Sequence, residues 1–387
     1  MQSRRLTELP PYLFVEIDRK KKAFAASGGR VLDLGIGDPD LGPPDELVEA
    51  LTGALAEPSH HRYPPGAGLP VLIDALRRWA RSRHGVSPGE NEILVTIGSK
   101  EAIGHLPLAV ADPGDAVLVP DPGYPVYHSS AVFAGARPVP VRLREDRGWW
   151  PDLGGIGRDD LDSARLLYLN YPNNPTAATA GPRQWREAVE FAARTGIILA
   201  ADSAYGDIFF GEPPAALFPI AREAGVPFIE FFSFSKTFSI TGWRIGFAIG
   251  SPGVVSALTR LKANLDSGAF GAIQEAVAAG LGSPYGEITG RIIAAYRERR
   301  DLLAGCLRRG GYSFSVPETT FYFWIEVPGG GSSIEYCGRL LEETGIVATP
   351  GVGFGSGGEG YFRLSITAPT ATIREAGEAL ERRGARG

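Results

Sequence analysis

Ser233-Phe-Ser-Lys-Thr-Phe-Ser-Ile-Thr-Gly-Trp-Arg-Ile-Gly246 sets a lysine in an unusual place. Lys236 lies among the hydroxyls of Ser233, Ser235 and Thr237, directly after the mostly apolar, strand-like run Pro227 to Phe232, and Arg244 follows eight residues on. Lysine is strongly hydrated and is seldom put at the mouth of a buried strand for packing alone. With an anionic ligand there, its amine can act as a Schiff-base nucleophile while Ser233, Ser235 and Arg244 donate to a dianionic phosphate. The competing reading is a solvated turn lysine beside an unrelated arginine, and Ser-x-x-Lys alone does not separate the two.

The chain on either side of this stretch has a regular grammar. Residues 44–56 and 70–84 read as helices, the second amphipathic, separated by the stiff Arg62-Tyr-Pro-Pro-Gly-Ala-Gly-Leu-Pro70 loop with its single aromatic, Tyr63. Ile93 to Ile97 reads as a buried strand that breaks at Gly98-Ser99 and continues as a helix, a ready anion site because free N–H groups and the helix dipole face one point. Strands at Ala116 to Val119, Arg137 to Val141, Leu166 to Asn170, Gly196 to Ala201 and Phe228 to Ser233 then alternate with helices over Val126 to Ala134 and Pro182 to Thr195. Continuous apolar strands alternating with helices predict a mainly parallel sheet covered on both faces, with ligands at the carboxyl ends of its strands.

Beyond a helix near 252–265 and a glycine-rich bend at Ser267 to Gly271, a long arginine-rich helix runs over roughly 285–309. The remainder reads as a smaller α+β unit: strands at Tyr312 to Val316, Thr320 to Val327, Ile346 to Thr349 and Tyr361 to Ile366, and helices around 333–344 and at the end. The opening segment, a loop and a helix through Arg19-Lys20-Lys21-Lys22, leads to Val31 to Asp40, a short strand ending in glycines where backbone can approach a ligand. The expected division is a large domain over 41–285 and a small one built from 1–40 and 286–387. The glycine-rich run Gly351 to Gly360 leads into a strand rather than a helix, so it reads as a mobile loop and not a dinucleotide fingerprint.

Composition narrows the function. With 387 residues, 44% of them hydrophobic and 21% charged, the chain has ample core for two domains. A formal charge of −5 leaves no basic footprint for nucleic acid, and the Arg19 to Lys22 run is the solvated face of a helix. Cys306 and Cys337 have no paired spacing, and the five histidines form no HExxH pair, which argues against a disulfide scaffold and against a metal site. Glu16 and Asp18 interrupt the first apolar stretch, and no apolar run is long enough to span a bilayer, so a cytoplasmic protein without membrane contact is expected.

Further candidate residues stand at the strand ends. Asp202 closes one strand, Tyr205 follows three residues on, Asn174 lies in Tyr171-Pro-Asn-Asn-Pro-Thr176, and Tyr124 lies in Asp121-Pro-Gly-Tyr124. Each taken singly is an ordinary turn or cap residue. Together with the Lys236 stretch they resemble the class I and II aminotransferases, fold type I enzymes that use pyridoxal 5′-phosphate (PLP), and the resemblance covers essentially the whole chain. It implies a mainly parallel seven-stranded sheet in the large domain and a homodimer with shared active sites. It implies that Lys236 holds PLP as a Schiff base, that Asp202 keeps the pyridine nitrogen protonated, that Asn174 and Tyr205 donate to the phenolic oxygen, and that Tyr124 stacks on the ring. Ser99, Lys100, Ser233, Ser235 and Arg244 would surround the phosphate, joined by Tyr63 from the other subunit. Arg363, in Tyr361-Phe-Arg-Leu-Ser365, resembles the clamp for the substrate α-carboxylate, for which a bidentate arginine is the natural partner, and Gly37 would present backbone to the same substrate.

Within the class, Leu9 to Phe14, Asp33 to Asp40, Gly98 to Glu101, Tyr171 to Ala178 and Asn264 to Gly268 look like segments of the LL-diaminopimelate aminotransferase family, which makes Tyr12, Lys100 and Asn264 candidate substrate contacts. The implied reaction moves an amino group between LL-diaminopimelate or a related amino acid and an oxo acid such as 2-oxoglutarate. One departure stands out. That family usually carries tyrosine or glutamate where this chain has Gly66, and bacterial members often have glutamate at the position of Ala67. The Tyr63 to Pro70 loop instead resembles that of aspartate-type aminotransferases. Transamination of another amino acid, a different PLP reaction such as cyclisation, elimination or oxidation, and a non-catalytic binding role on the same fold therefore stay open.

Overall fold

A computed structural model describes residues 2–9, 13–282 and 284–384. Its centre is an eight-stranded sheet. In spatial order the strands are Ile93–Thr96, Gly246–Gly250, Phe228–Ser233, Ile198–Asp202, Ala164–Asn170, Ala116–Asp121, Arg137–Arg144 and Trp150–Pro151. Gly246–Gly250 is antiparallel to both of its neighbours, and the strands from Phe228–Ser233 across to Arg137–Arg144 are parallel.

The expected seven strands become eight because the chain turns through Glu145–Arg147 and pairs Trp150 and Pro151 back onto Leu143 and Arg144. Two residues are too few to show a strand period, so local pattern does not reveal this edge. Gly246–Gly250 likewise carries no strand signal of its own, because it continues the glycine-bounded motif after Arg244.

Alternation along each strand explains the unbroken apolar runs. In Ala164–Asn170, Leu167 and Leu169 point into one buried cluster while Leu166 and Tyr168 point into the other, so both faces need hydrophobes. Pro182–Thr195 covers the first cluster. It starts on Pro182, ends at the left-handed Gly196, and buries Trp185, Ala188, Val189, Phe191 and Ala192. The second cluster is closed by Ser99–Val110, Val126–Ala134 and Pro252–Leu265.

C-terminal to the long Tyr285–Arg309 helix, Tyr322–Glu326, Tyr361–Ser365 and Thr349–Pro350 form a three-stranded antiparallel sheet, and Leu32–Asp33 pairs with Ile346–Val347. The strand expected at Tyr312 to Val316 is reduced to a single bridge between Phe314 and Ile325. Phe314 turns inward against Phe323, and Pro317, which has no N–H, follows directly. A helix at Gly271–Gly280, composed largely of alanine and glycine and so without a clear apolar period, packs on Asp45–Ala54.

Candidate active site

Four strands of the large sheet end at one cavity of about 400 Å³. Its walls include Asn170, Asp202 and Ser233 at the last positions of their strands, Ser235 and Lys236 just past the last of these, Tyr124 beyond a fourth, and Tyr322 and Arg363 from the three-stranded sheet. Ser99, Lys100, Asn174, Tyr205, Arg244 and Gly37 line it as well. Residues from 37 to 363 thus meet where strand carboxyl ends open to one side.

Lys236 sits in the single turn Phe234–Thr237 that follows its strand, and its Nζ donates to the Gly37 carbonyl at 3.1 Å. Burial pushes the amine down to about 8; Asp38 opposes the shift, while the cationic Arg244 and Arg363 add to it. Gly37 has no room for a side chain, since a Cβ there would overlap the Tyr322 hydroxyl.

Asp202 is buried, and its Oδ2 accepts the Tyr127 hydroxyl at 2.7 Å while Oδ1 accepts the Ala204 N–H at 3.2 Å. Burial raises its carboxyl to about 6, the two hydrogen bonds pulling the other way. A carboxylate in that state favours a cationic partner. Asn170 ties the neighbouring strand end to it, its Nδ2 donating to the Asp202 carbonyl at 2.8 Å and its Oδ1 accepting the Asn174 N–H at 2.9 Å.

At the other end lies a basic rim. Ser99 is the first residue of Ser99–Val110, preceded by Gly98 at φ +73°, and a Cβ on Gly98 would come within 2.8 Å of Arg244 Nη2. Arg244 itself holds a left-handed backbone (φ 54°, ψ 59°), an outlier for a non-glycine residue that is costly by ~1 kcal/mol or more and belongs at functional sites. Helix N–H groups, three hydroxyls and two cations surround one pocket, the donor set that a phosphate dianion needs.

Arg363, 2% exposed, donates from Nη1 to Asn174 Oδ1 at 2.6 Å and from Nη2 to the Gly35 carbonyl at 2.8 Å. Its guanidinium lies 4.0 Å from the Tyr322 ring, and its buried Nε has no hydrogen-bond partner among the described residues. A buried donor left without a partner is one that a carboxylate would satisfy. Tyr205 shares a 3.1 Å hydroxyl contact with Tyr322.

Two candidate residues are not brought to the cavity within this chain. Tyr63 is 91% exposed in its loop, and Asn264 is exposed near the end of Pro252–Leu265, bonded to the Arg260 carbonyl. Tyr12 lies outside the described residues. Conversely, Asn170, Tyr322 and Asp38 line the cavity and Tyr127 reaches it through Asp202, none of them a sequence candidate; Tyr127 follows Tyr124 by three residues on one turn. Gly66 is exposed, with open space beside the place of a Cβ.

A family model described as aminotransferase class I and II matches residues 29–380. The chain belongs to the class I and II aminotransferases. This aminotransferase is 45% identical to the LL-diaminopimelate aminotransferase of Aquifex aeolicus over 98% of both chains, and 44% identical to that of Desulforudis audaxviator over 98% of this chain and 97% of the relative. Among solved structures it is similar to substrate-bound BacF from Bacillus subtilis (TM-score 0.92, 33% identity, 99% of this chain and 98% of that one). An aspartate aminotransferase from Thermus thermophilus superposes with a TM-score of 0.91 at 29% identity, covering 99% of each chain. The family implies PLP as cofactor. The residues of this aminotransferase fit it: one cavity holds a raised carboxyl, a buried amine and a helix start set so close to Arg244 that Gly98 has no room for a Cβ.

Proposed function

We propose that this aminotransferase uses PLP to move the α-amino group of LL-diaminopimelate, or of a closely related amino acid, to 2-oxoglutarate. The observation that carries the reading is the pairing, in one cavity, of a buried amine lowered to about 8 with an arginine whose buried Nε has no partner among the described residues. The diaminopimelate class is supported by relatives of that name at 42–45% identity over nearly the full chain.

PLP when bound supplies the aldehyde that condenses with amines and an electron sink for the Cα carbanion. In holding it, Asp202 would keep the ring nitrogen protonated, Asn174 and Tyr205 would donate to the ring oxygen, and Tyr124 would pack on the ring. Ser99, Lys100, Ser233, Ser235 and Arg244 hold the phosphate, with Tyr63 of a second copy. Arg363 fixes the substrate carboxylate and so sets which Cα bond faces Lys236. Once the substrate amine has taken its place on the cofactor aldehyde, the freed Lys236 Nζ would take the Cα proton, a role for which a lowered pKa of about 8 suits it. Tyr12, Gly37, Lys100 and Asn264 complete the substrate contacts.

The protein is read as a homodimer with shared sites in the cytoplasm, divided into 41–285 and 1–40 with 286–387. The exposed Tyr63 supports the dimer, and no described helix is long and apolar enough to cross a membrane. Aspartate-type specificity is the second reading, supported by the open space at Gly66, where no side chain reaches for a distal ammonium or carboxylate.

The test is a half-reaction screen. The PLP-loaded enzyme is mixed singly with LL-diaminopimelate, aspartate, glutamate, basic and aromatic amino acids, and loss of the cofactor absorbance is followed. Fastest loss with LL-diaminopimelate supports the first reading; fastest loss with aspartate replaces it with the second; no loss with any of them overturns transamination.

A further inference from the structure

Asp121 closes the Ala116–Asp121 strand three residues ahead of Tyr124. A strand-end aspartate ordinarily caps its own turn. This one instead reaches residues more than two hundred positions away: Oδ1 accepts the Gly357 N–H at 2.7 Å, and Oδ2 accepts the Ser356 hydroxyl at 2.9 Å. Arg142 Nη1 stands 3.3 Å from Oδ2. Two residues on, the Gly123 N–H donates to the Phe354 carbonyl at 2.7 Å. The fit is close, because Gly355 has φ +117° and a Cβ there would overlap Asp121 Oδ1. The Gly351 to Gly360 loop, whose composition predicts mobility, is thus fastened at two points to the strand end that leads to Tyr124.

The fastened loop presents Phe354. Its ring is 3% exposed and lies 4.8 Å from the Arg363 guanidinium, adding to the Tyr322 ring at 4.0 Å. An arginine held by flanking rings has few rotamers left to lose when it binds a carboxylate; one without them has many.

We propose that Asp121 is a positioning residue for substrate recognition: by holding the Gly351 to Gly360 loop it keeps Phe354 packed on Arg363, so that the guanidinium meets the α-carboxylate preorganised. This rests on Arg363 being the carboxylate clamp. Asp121 is not among the residues that line the Lys236 cavity, so its loss is expected to weaken carboxylate binding and to spare the cofactor.

The experiment compares Asp121→Ala, Asp121→Asn, Ser356→Ala and Arg363→Gln with wild type. Affinity for 2-oxoglutarate is measured by calorimetry in the PLP-loaded enzyme, PLP affinity separately, and amide hydrogen exchange of residues 351–360 in the cofactor-free enzyme. Asp121→Ala is expected to weaken 2-oxoglutarate binding about tenfold and to speed exchange of the loop amides at least about tenfold, with PLP affinity unchanged. Asp121→Asn, which keeps an acceptor for the Gly357 N–H, falls between Asp121→Ala and wild type. Arg363→Gln weakens binding at least as much and leaves loop exchange as in wild type. Freed loop amides with unchanged 2-oxoglutarate affinity would overturn the proposal, as would unchanged exchange. Should Asp121→Ala fail to fold, the same criteria apply to Asp121→Asn and Ser356→Ala. Unchanged affinity in Arg363→Gln removes the clamp reading itself, an outcome distinct from failure of the latch alone.

Discussion

Replacing Tyr127 by phenylalanine isolates one hydroxyl in the site. The ring packs on Tyr168 at 4.9 Å and is almost fully buried, so the variant keeps its shape and volume and loses only the 2.7 Å hydrogen bond to Asp202 Oδ2. A hydrogen bond to a charged acceptor contributes about 1.5–3 kcal/mol, equivalent to between about tenfold and a hundredfold in proton affinity. Tyr127 stabilises the ionised form, so its removal moves the carboxyl upward from about 6 to roughly 7 or 8. At neutral pH Asp202 then carries its own proton and no longer favours a protonated ring nitrogen.

The assay is PLP affinity of the cofactor-free enzyme as a function of pH, wild type against variant. The low-pH limb of the variant is expected to lie about one to two pH values higher, with the two profiles converging at alkaline pH. Stability follows the same sign. Asp202 is raised above its ordinary value of 3.8, so between there and about 6 the folded state holds a proton that the unfolded state has released, and stability falls as pH rises through that window. In the variant the fall continues to higher pH. Coincident pH profiles would refute the assignment of Asp202 as the acid at the ring nitrogen, of Tyr127 as its tuning partner, or both; a stability curve that still shifts would retain the pair and discard only the link to the cofactor.

Other perturbations test the remaining parts. Lys236→Ala is expected to abolish turnover, and any activity near wild type refutes its role; in the cofactor-free protein Lys236→Met should be the more stable by up to about 3 kcal/mol at pH 7, since the buried amine is lowered from 10.5 to about 8. Because the unfolded state holds the extra proton between those values, wild-type stability rises with pH from about 8 to 10.5, and the difference in thermal midpoint should shrink over that range. Arg363→Lys loses the planar fork and leaves Asn174 Oδ1 without its 2.6 Å donor, so the KM for the amino acid should rise by roughly 10- to 100-fold, with PLP affinity retained. Gly37→Ala drives a Cβ into the Tyr322 hydroxyl; we expect about 1–3 kcal/mol of destabilisation in chemical unfolding together with loss of activity, and a neutral result would show that the two elements are not so closely apposed.

Some of this protein is written locally. Largely apolar strands that end on a polar residue place Asn170, Asp202 and Ser233 at strand ends, because two-sided burial demands hydrophobes along the strand and a buried polar residue at its end needs the partners that loops and ligands supply. The Lys236 stretch, the Gly98-Ser99 break and the strand bearing Arg363 are legible for the same reason: residue type and element boundary coincide within a few positions. Tertiary structure alone decided the rest. Tyr127 meets Asp202 across 75 positions and Tyr322 meets Tyr205 across 117, and nothing in the period of either element records its partner. The two-residue strand at Trp150–Pro151 exists only because a turn delivers it to an open edge, and of the expected strand at Tyr312 to Val316 a single bridge to Ile325 forms ahead of Pro317, which has no N–H to extend the pairing. A sequence states what each segment must bury and where it must stop; which side chains then face one another depends on how separate elements pack, and that is settled by the summed burial of the whole core.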